Sequence, residues 1–92
     1  MRDDGVVQIH MGETLNYNEY KPLKEIYKQY PPETNYILNF AKTNLVDSSG
    51  LGLLLAMKHY TKTKQKIAFV KCNSKIKQIF GIAQFQMLFD IQ

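Results

Sequence analysis

Residues 45–55 read LVDSSGLGLLL. The apolar pair Leu45-Val46 ends at Asp47, and a leucine-rich run follows Gly50. Asp and Ser favour turns and helix N-caps, whereas a continuous apolar run of this kind is typical of a helix that is covered on two sides. The stretch therefore predicts the end of a strand followed directly by a helix over residues 49–61.

The same alternation of strand and helix extends outward on both sides. Apolar positions with a period of two, or short apolar runs, predict strands over residues 5–11, 35–41, 66–72 and 88–91. Helical spacing predicts a first helix, capped by Asn16 or Asn18 and stopped by Pro31-Pro32, and a third helix, capped by Asn73 or Ser74. This order predicts an α/β fold with three helices and a mixed, largely parallel sheet of four to five strands. Its second strand, residues 35–41, is expected to be covered on both faces.

The length and composition are those of one globular domain. The chain has 92 residues, of which 45% are apolar and 22% are charged. Its single cysteine, Cys72, cannot close an intramolecular disulfide and is expected to be structural. The start of the chain is too polar for a signal peptide, and no apolar run nears the ~20 residues of a membrane span. These features predict a soluble, cytoplasmic protein that does not insert into a membrane.

Positive charge is concentrated in the second half of the chain. The formal net charge is +4, and residues 47–92 carry seven lysines against Asp47 and Asp90. A basic half can indicate nucleic-acid binding, but this one contains no Arg, the better reader of base edges. We therefore interpret the lysines as solvated and expect no nucleic-acid partner. Steering toward an acidic protein partner is an open alternative.

The feature that carries chemistry is the hydroxyl pair Ser48-Ser49 at the start of the predicted helix. Free N–H groups and the helix dipole favour an anion there, and a phosphate on Ser48 would bring about −1.5 to −2 charge. Gly50 and Gly52 have no side chains, so the active site of another protein can approach the backbone. Asp47 either orients the hydroxyl or repels an added phosphate. Asp-Ser-Ser-Gly is also common in turns and caps, which is the alternative without a function.

No set of residues indicates catalysis. His10 and His59 have no third ligand or nucleophile in view and are expected to be structural. Paired carboxylates, a glycine-rich phosphate loop and a Ser-His-Asp order are missing from the sequence. We expect the chain to be no enzyme and to use no cofactor or metal. Leu53, Met57 and Tyr60 form an apolar set for which a place in the core and contact with a partner are equally open.

The run over residues 46–55 resembles the signature of the STAS domains, the anti-sigma factor antagonists of bacteria. The preceding Ile37-Leu38-Asn39-Phe40 is similar to their third strand. Residues 76–80, together with Ala83, Phe85 and Leu88-Phe89, resemble their later helix and last strand. The resemblance covers about residues 36–91, more than half of the chain.

This resemblance implies a switch between binding partners. Such proteins bind an anti-sigma factor that is also a serine kinase, release it when they are phosphorylated on the first Ser of Asp-Ser-Ser-Gly, and are reset by a serine phosphatase. The acceptor corresponds to Ser48 here, and Ser49 is then the expected helix cap. The residues expected at the partner surface are Asp47, Ser49, Gly50, Gly52, Leu53 and Asn16.

The sequence also departs from the family pattern. Residues 12–16 read GETLN and stand where the family has a Gly-Glu-Leu-Asp-like segment, with Asn16 in the place of the acid. The usual short first strand and final helix are expected to be absent, which leaves apolar surface for a partner or for self-association. STAS-like domains also act as accessory subunits that clamp the nucleotide-hydrolysing subunit of a membrane transport assembly without being phosphorylated. That role is the alternative function.

Overall fold

The computed structural model describes residues 5–62 and 65–92. Its strands are β1 (Val6–His10), β2 (Thr14–Leu15), β3 (Asn35–Asn39), β4 (Leu45–Val46), β5 (Ala68–Val70) and β6 (Asp90–Ile91). Its α-helices are α1 (Tyr20–Tyr27), α2 (Ser48–Tyr60) and α3 (Ser74–Ile82). Short 3-10 turns at Tyr17–Glu19 and Phe85–Met87 precede α1 and β6. None of the helices in these two ranges is both long and apolar enough to cross a membrane.

The main sheet has the strand order β1-β3-β5-β6, and β2 pairs with β4 in a separate two-stranded ribbon. Every one of these pairs is parallel, so the predicted α/β fold is confirmed, but the sheet is not mixed. The strands follow chain order across the main sheet. Right-handed crossovers between such strands place the helices on one face of the sheet.

The core lies between that face and the helices. Alternate strand positions point into it, among them Ile9, Leu38 and Phe69, which are almost fully buried. Phenylalanine rings fill the region near β5 and α3, with ring centroids 4.5 Å apart for Phe69 and Phe89 and 5.0 Å apart for Phe69 and Phe80. Aromatic rings at such distances contribute more than their buried area alone. These phenylalanine rings therefore form one aromatic cluster within the core.

On the opposite face of the sheet, no helix of residues 5–62 or 65–92 is placed. Gln8, Ile37 and Val70 point to this side and are partly exposed. β3 does occupy an inner position between β1 and β5, but the expectation that both of its faces are covered is wrong. The apolar run of β3 did not reveal this, because a strand that lies between two others and a strand that is covered on both faces can have the same apolar pattern in the sequence.

The β2–β4 ribbon was not predicted as a pair of strands, because two-residue strands show no periodicity. It is held by contacts across the chain. The Thr43 hydroxyl donates to the Gly12 carbonyl at 2.7 Å, and the Asn44 N–H donates to the Glu13 carbonyl at 2.8 Å. Residues 12–16 are thereby fixed beside the segment that enters α2.

Some predicted boundaries differ from the observed ones. α1 ends at Tyr27, before Pro31-Pro32, and its entry is the 3-10 turn capped by the side chain of Asn16. The strand expected over residues 88–91 is reduced to β6, because residues 85–87 form a 3-10 turn. The α3 cap is Asn73, whose side chain accepts from the Ile76 N–H at 2.8 Å. Ala83 is the C-cap of that helix and is exposed.

Candidate functional site

The N-terminus of α2 is capped by Asp47, not by Ser49 as expected. Asp47 has an extended backbone, and its carboxylate accepts the N–H of Gly50 at 2.9 Å. The same oxygen accepts the hydroxyl of Ser49 at 2.6 Å. A carboxylate is a stronger acceptor than a hydroxyl and complements the positive end of the helix dipole. Ser49 is therefore a donor to the cap rather than the cap itself.

These hydrogen bonds also decide the role of Asp47. The bond from the Ser49 hydroxyl, followed by that from the Gly50 N–H, lowers the pKa of the Asp47 carboxyl below its ordinary value. Both bonds favour the charged form, so the side chain is an anion at neutral pH. Its partners are Ser49 and Gly50, and it does not orient the hydroxyl of Ser48.

Ser48 is the first residue of α2 and is exposed. Its hydroxyl makes no hydrogen bond to any described part of the protein. Ser48 and Ser49 thus differ sharply although they are adjacent, because one is open to solvent and the other is half-buried and bonded to Asp47. Of the two hydroxyls, that of Ser48 is the one that another molecule can reach.

The two glycines of the motif have different roles. Gly50 is buried, and a Cβ added there would lie 2.8 Å from the carbonyl carbon of Leu15 and closer still to its oxygen. Glycine at this position lets α2 approach β2, so it does not serve access by a partner as expected. A Cβ added at Gly52 would meet nothing within 4 Å, so the surface there is open.

The side of α2 that carries Leu53 and Met57 is buried. Leu53 is only 6% exposed and Met57 is fully buried, both within the core. The expectation that Leu53 contacts a partner is therefore wrong: its side of the helix packs on the sheet. Leu54 is also fully buried, whereas the neighbouring Leu55 is 43% exposed.

We call the solvent-facing side of α2 its outer face. It follows helical spacing from the N-terminus, and all of its members are exposed: Ser48, Gly52, Leu55, Ala56 and His59. Beside its start, Leu45 of β4 is 49% exposed. Sequence reasoning missed Leu45 and Leu55 as surface residues, because a helix with two apolar sides does not reveal which side faces the sheet.

Asn16 lies close to this site although it is distant in the sequence. β2 and β4 pair Leu15 with Val46, and the Asp47 N–H donates to the Leu15 carbonyl at 3.2 Å. Asn16 is the next residue after Leu15, as Asp47 is the next after Val46. The side-chain oxygen of Asn16 accepts the Asn18 N–H at 2.9 Å. The structure thus brings Asn16 beside Asp47. Tyr17, the next residue, is 67% exposed.

The other notable features lie elsewhere. A depression of about 640 Å³ is lined by residues that include Asn35, Lys66 and Asp90, at the amino ends of strands and therefore far from Ser48. Within residues 5–62 and 65–92, no three His, Cys, Asp or Glu side chains are grouped as they would be around a metal ion. Cys72 is half-buried, and burial raises the pKa of its thiol, which disfavours the reactive thiolate.

Comparison with known proteins agrees with this architecture. The chain is similar to a STAS-domain containing protein of Pseudomonas aeruginosa (strain UCBPP-PA14), with 22% identity over 91 residues. The similarity covers 97% of this chain and 90% of the relative. No family model matches the sequence. The similarity therefore extends over the whole domain and is not confined to the motif before α2.

Proposed function

We propose, on the premise that this chain is a STAS domain by fold and by similarity to a relative of that name, that it is an anti-sigma factor antagonist. In this role it binds an anti-sigma factor that is also a serine kinase, and it is released when Ser48 is phosphorylated. A serine phosphatase restores the binding form. The observation that carries the proposal is the exposed hydroxyl of Ser48 at the first position of α2, with no hydrogen bond to the described chain.

The position of Ser48 suits a reversible phosphate. The dipole of a 13-residue helix stabilises negative charge at its N-terminus, so the domain itself tolerates the modification. A phosphate of about −1.5 to −2 charge would stand next to the ionised Asp47. A partner docked there would have to strip water from two neighbouring anions. This desolvation free energy weakens the complex and leaves the stability of the fold unchanged, as a binding switch requires.

The outer face of α2 supplies the surface that such a partner would cover. Gly52 adds no side chain next to Ser48, and Leu55 and Ala56 offer apolar contact within the following two turns. Leu45 extends this apolar surface across β4. Small and apolar residues around the phosphoacceptor Ser48 let a partner approach closely and exclude water from the centre of the interface. Binding energy in protein interfaces is concentrated at such desolvated centres.

Phosphosite mapping tests the proposal. The protein is isolated with its partners from the cells in which it occurs, and the phosphate is located by mass spectrometry. Ser48→Ala should abolish phosphorylation, whereas the matched control Ser49→Ala should retain it, because the Ser49 hydroxyl is engaged with Asp47. Binding to the co-purified kinase should survive Ser48→Ala and fall at least tenfold with Ser48→Asp, a difference of about 1.4 kcal/mol.

Two results would contradict the proposal. Equal phosphate incorporation in Ser48→Ala and in the wild type would show that the acceptor lies elsewhere. Co-purification with a transport ATPase, without phosphate on Ser48 and without an effect of Ser48→Asp, would replace the switch by the role of an accessory subunit.

A further inference from the structure

A second depression, of about 300 Å³, lies at the carboxyl end of the main sheet. His10 and Asn39, the last residues of β1 and β3, are paired there, and Lys71 follows directly after β5. In open sheets of parallel strands, ligands bind at this end, in the crevice outside the carboxyl ends of the strands. The lining is completed by Met11, Ala41 and Lys42.

Lysine and histidine line this depression, and no Asp or Glu is among the described residues around it. Lys42 and Lys71 are exposed, and neither ammonium group forms an ion pair within residues 5–62 and 65–92. His10 adds an imidazole ring, whose N–H is a further hydrogen-bond donor. The depression therefore favours an anion, because the protein itself does not neutralise its positive charge.

A buried side chain of the lining offers a donor that is already held in place. Asn39 is only 7% exposed, and its side-chain oxygen accepts the Ala41 N–H at 2.9 Å. This bond orients the amide and leaves its NH₂ group on the opposite side. The NH₂ group has no partner in the described chain, and it is not sealed from solvent, since no fully buried side-chain nitrogen there lacks a hydrogen bond. Because Asn39 lines the depression, this donor is available to a ligand inside it.

Lys71 has a backbone conformation that other residues adopt more easily. Its φ is 60°, in the left-handed region, where the Cβ of most residues is crowded and where Gly and Asn are favoured. Strained residues of this kind are concentrated at sites that clamp a ligand. The strain at Lys71 is therefore consistent with a function of its side chain at the depression.

We propose that this depression binds the phosphate group of a small soluble molecule. Lys42 and Lys71 supply two positive charges, which match the charge of about −1.5 to −2 on a phosphate monoester at neutral pH. Asn39 and His10 donate hydrogen bonds to the phosphate oxygens, and such bonds are strong because the acceptor is charged. A carboxylate has one charge and two oxygens and would use fewer of these donors.

The size and the surroundings of the depression favour a small soluble ligand over a lipid headgroup or a protein. Its volume is near the lower limit of small-molecule sites, roughly 300–1,000 Å³. Membrane surfaces and protein partners use exposed apolar contacts, and none of the large ones lines it. The large apolar side chains that the described surface exposes are Tyr17, Leu45, Leu55, Ile82 and Met87. The lining contains no residue of the α2 outer face and none that adjoins residues 1–4 or 63–64 in the chain, so the site goes beyond the switch at Ser48.

Two-dimensional NMR of the isotope-labelled protein tests this inference. The wild type is titrated with glycerol phosphate, and a parallel titration with sodium chloride reaches the same ionic strength. Glycerol phosphate should shift the Asn39 side-chain NH₂ signal and the backbone N–H signals of Lys42 and Lys71, with saturation in the millimolar range. Sodium chloride should not reproduce these shifts, because screening alone does not fill a site.

Three variants separate the site from the general positive charge of the chain. Asn39→Asp retains the acceptor for the Ala41 N–H but replaces the free donor by a negative oxygen, and should weaken binding about tenfold or more. Lys71→Asn removes one charge and suits the left-handed backbone, so it should weaken binding about fivefold without lowering the melting temperature. The matched control Lys28→Asn removes the same charge at the C-cap of α1, away from the depression, and should change the affinity less than about twofold.

The inference is overturned if the Asn39 NH₂ signal shows no saturable shift, if sodium chloride reproduces the shifts, or if Lys28→Asn weakens binding as much as Lys71→Asn. The titration uses the wild type, so it decides the question even if a variant fails to fold. Vesicles that contain phosphatidic acid should sediment no more protein than phosphatidylcholine vesicles. Selective sedimentation without binding of glycerol phosphate would assign the depression to a lipid headgroup and overturn the inference. If Ser48 proves not to be phosphorylated, these outcomes are unaffected.

Discussion

Gly50 and Gly52 differ by one half-turn of α2, and replacing each with alanine should change the free energy of unfolding in opposite directions. Within a helix, Ala is favoured over Gly by up to ~1 kcal/mol. At Gly52 nothing lies within 4 Å of the added Cβ, so Gly52→Ala should gain about that amount. At Gly50 the Cβ would lie 2.8 Å from the carbonyl carbon of Leu15 and 3.0 Å from its Cγ.

The contact at Gly50 cannot be relieved by rotating a side chain, because its nearest atoms belong to the backbone of β2. Moving that backbone also disturbs the Leu15 carbonyl, which accepts the Asp47 N–H at 3.2 Å. Overpacking of this kind costs ~1–3 kcal/mol or more, which exceeds the gain in helix propensity. We expect Gly50→Ala to be destabilised by about 2 kcal/mol net after that gain is subtracted.

Urea and thermal unfolding followed by circular dichroism measure both effects. A change of 1 kcal/mol shifts the melting temperature of a domain of this size by ~4–8 °C. Gly50→Ala should therefore melt roughly 10 °C below the wild type, and Gly52→Ala a few degrees above it. Equal or higher stability of Gly50→Ala would refute the reasoning that β2 and α2 require this glycine for their close approach.

Three further perturbations test other parts of the structure. Leu53→Ala should lower the free energy of unfolding, measured in urea, by ~2–5 kcal/mol, because it leaves a cavity in the core. Leu55→Ala should change that free energy by no more than ~0.5 kcal/mol and should instead weaken partner binding. If Leu55→Ala proved the more destabilising of the two, the assignment of the buried side of α2 would be wrong. The lowered pKa of the Asp47 carboxyl contributes stability that is present above pH 3.8, its ordinary pKa, and is lost as the pH falls through the lower folded-state pKa. Asp47→Asn should therefore make the free energy of unfolding depend less on pH at acid pH. An unchanged pH dependence in the variant would contradict the role of Asp47 as the helix cap. Burial raises the pKa of Tyr36 to about 12, so its contribution to stability is present below pH 10.0, its ordinary pKa, and is lost as the pH rises toward 12. Tyr36→Phe should reduce this loss of stability at alkaline pH. An identical loss in the variant would show that another group causes it.

Local patterns were sufficient to predict the succession of the three helices and the four strands of the main sheet. The period of two in β1, the apolar run of β3 and the change of composition at Asp47 all predicted elements that the structure contains. Ser48 at the start of α2 was predicted in the same way. Such signals depend on near neighbours in the chain, and those neighbours are the same in any fold that the sequence adopts.

The errors share a physical cause. Asp47 rather than Ser49 caps α2 because of the extended backbone that the β2–β4 ribbon imposes on the entry to the helix. Leu53 is buried and Leu55 exposed because the sheet lies on one side of α2 only. Neither fact is present in the local sequence, since both apolar sides of the helix have the same hydrophobic pattern.

The sequence by itself determined the order of the three helices and of the strands of the main sheet, and it placed a serine hydroxyl at the head of a helix, because caps, turns and hydrophobic periods act over a few residues. Only the tertiary structure decided which face of α2 is open, why Gly50 has no side chain, and that Asn16 stands beside Asp47. Those properties arise from contacts between segments that are far apart in the chain, such as Leu15 and Gly50. Packing between distant segments decides which atoms remain in contact with solvent, and hence what a partner can touch.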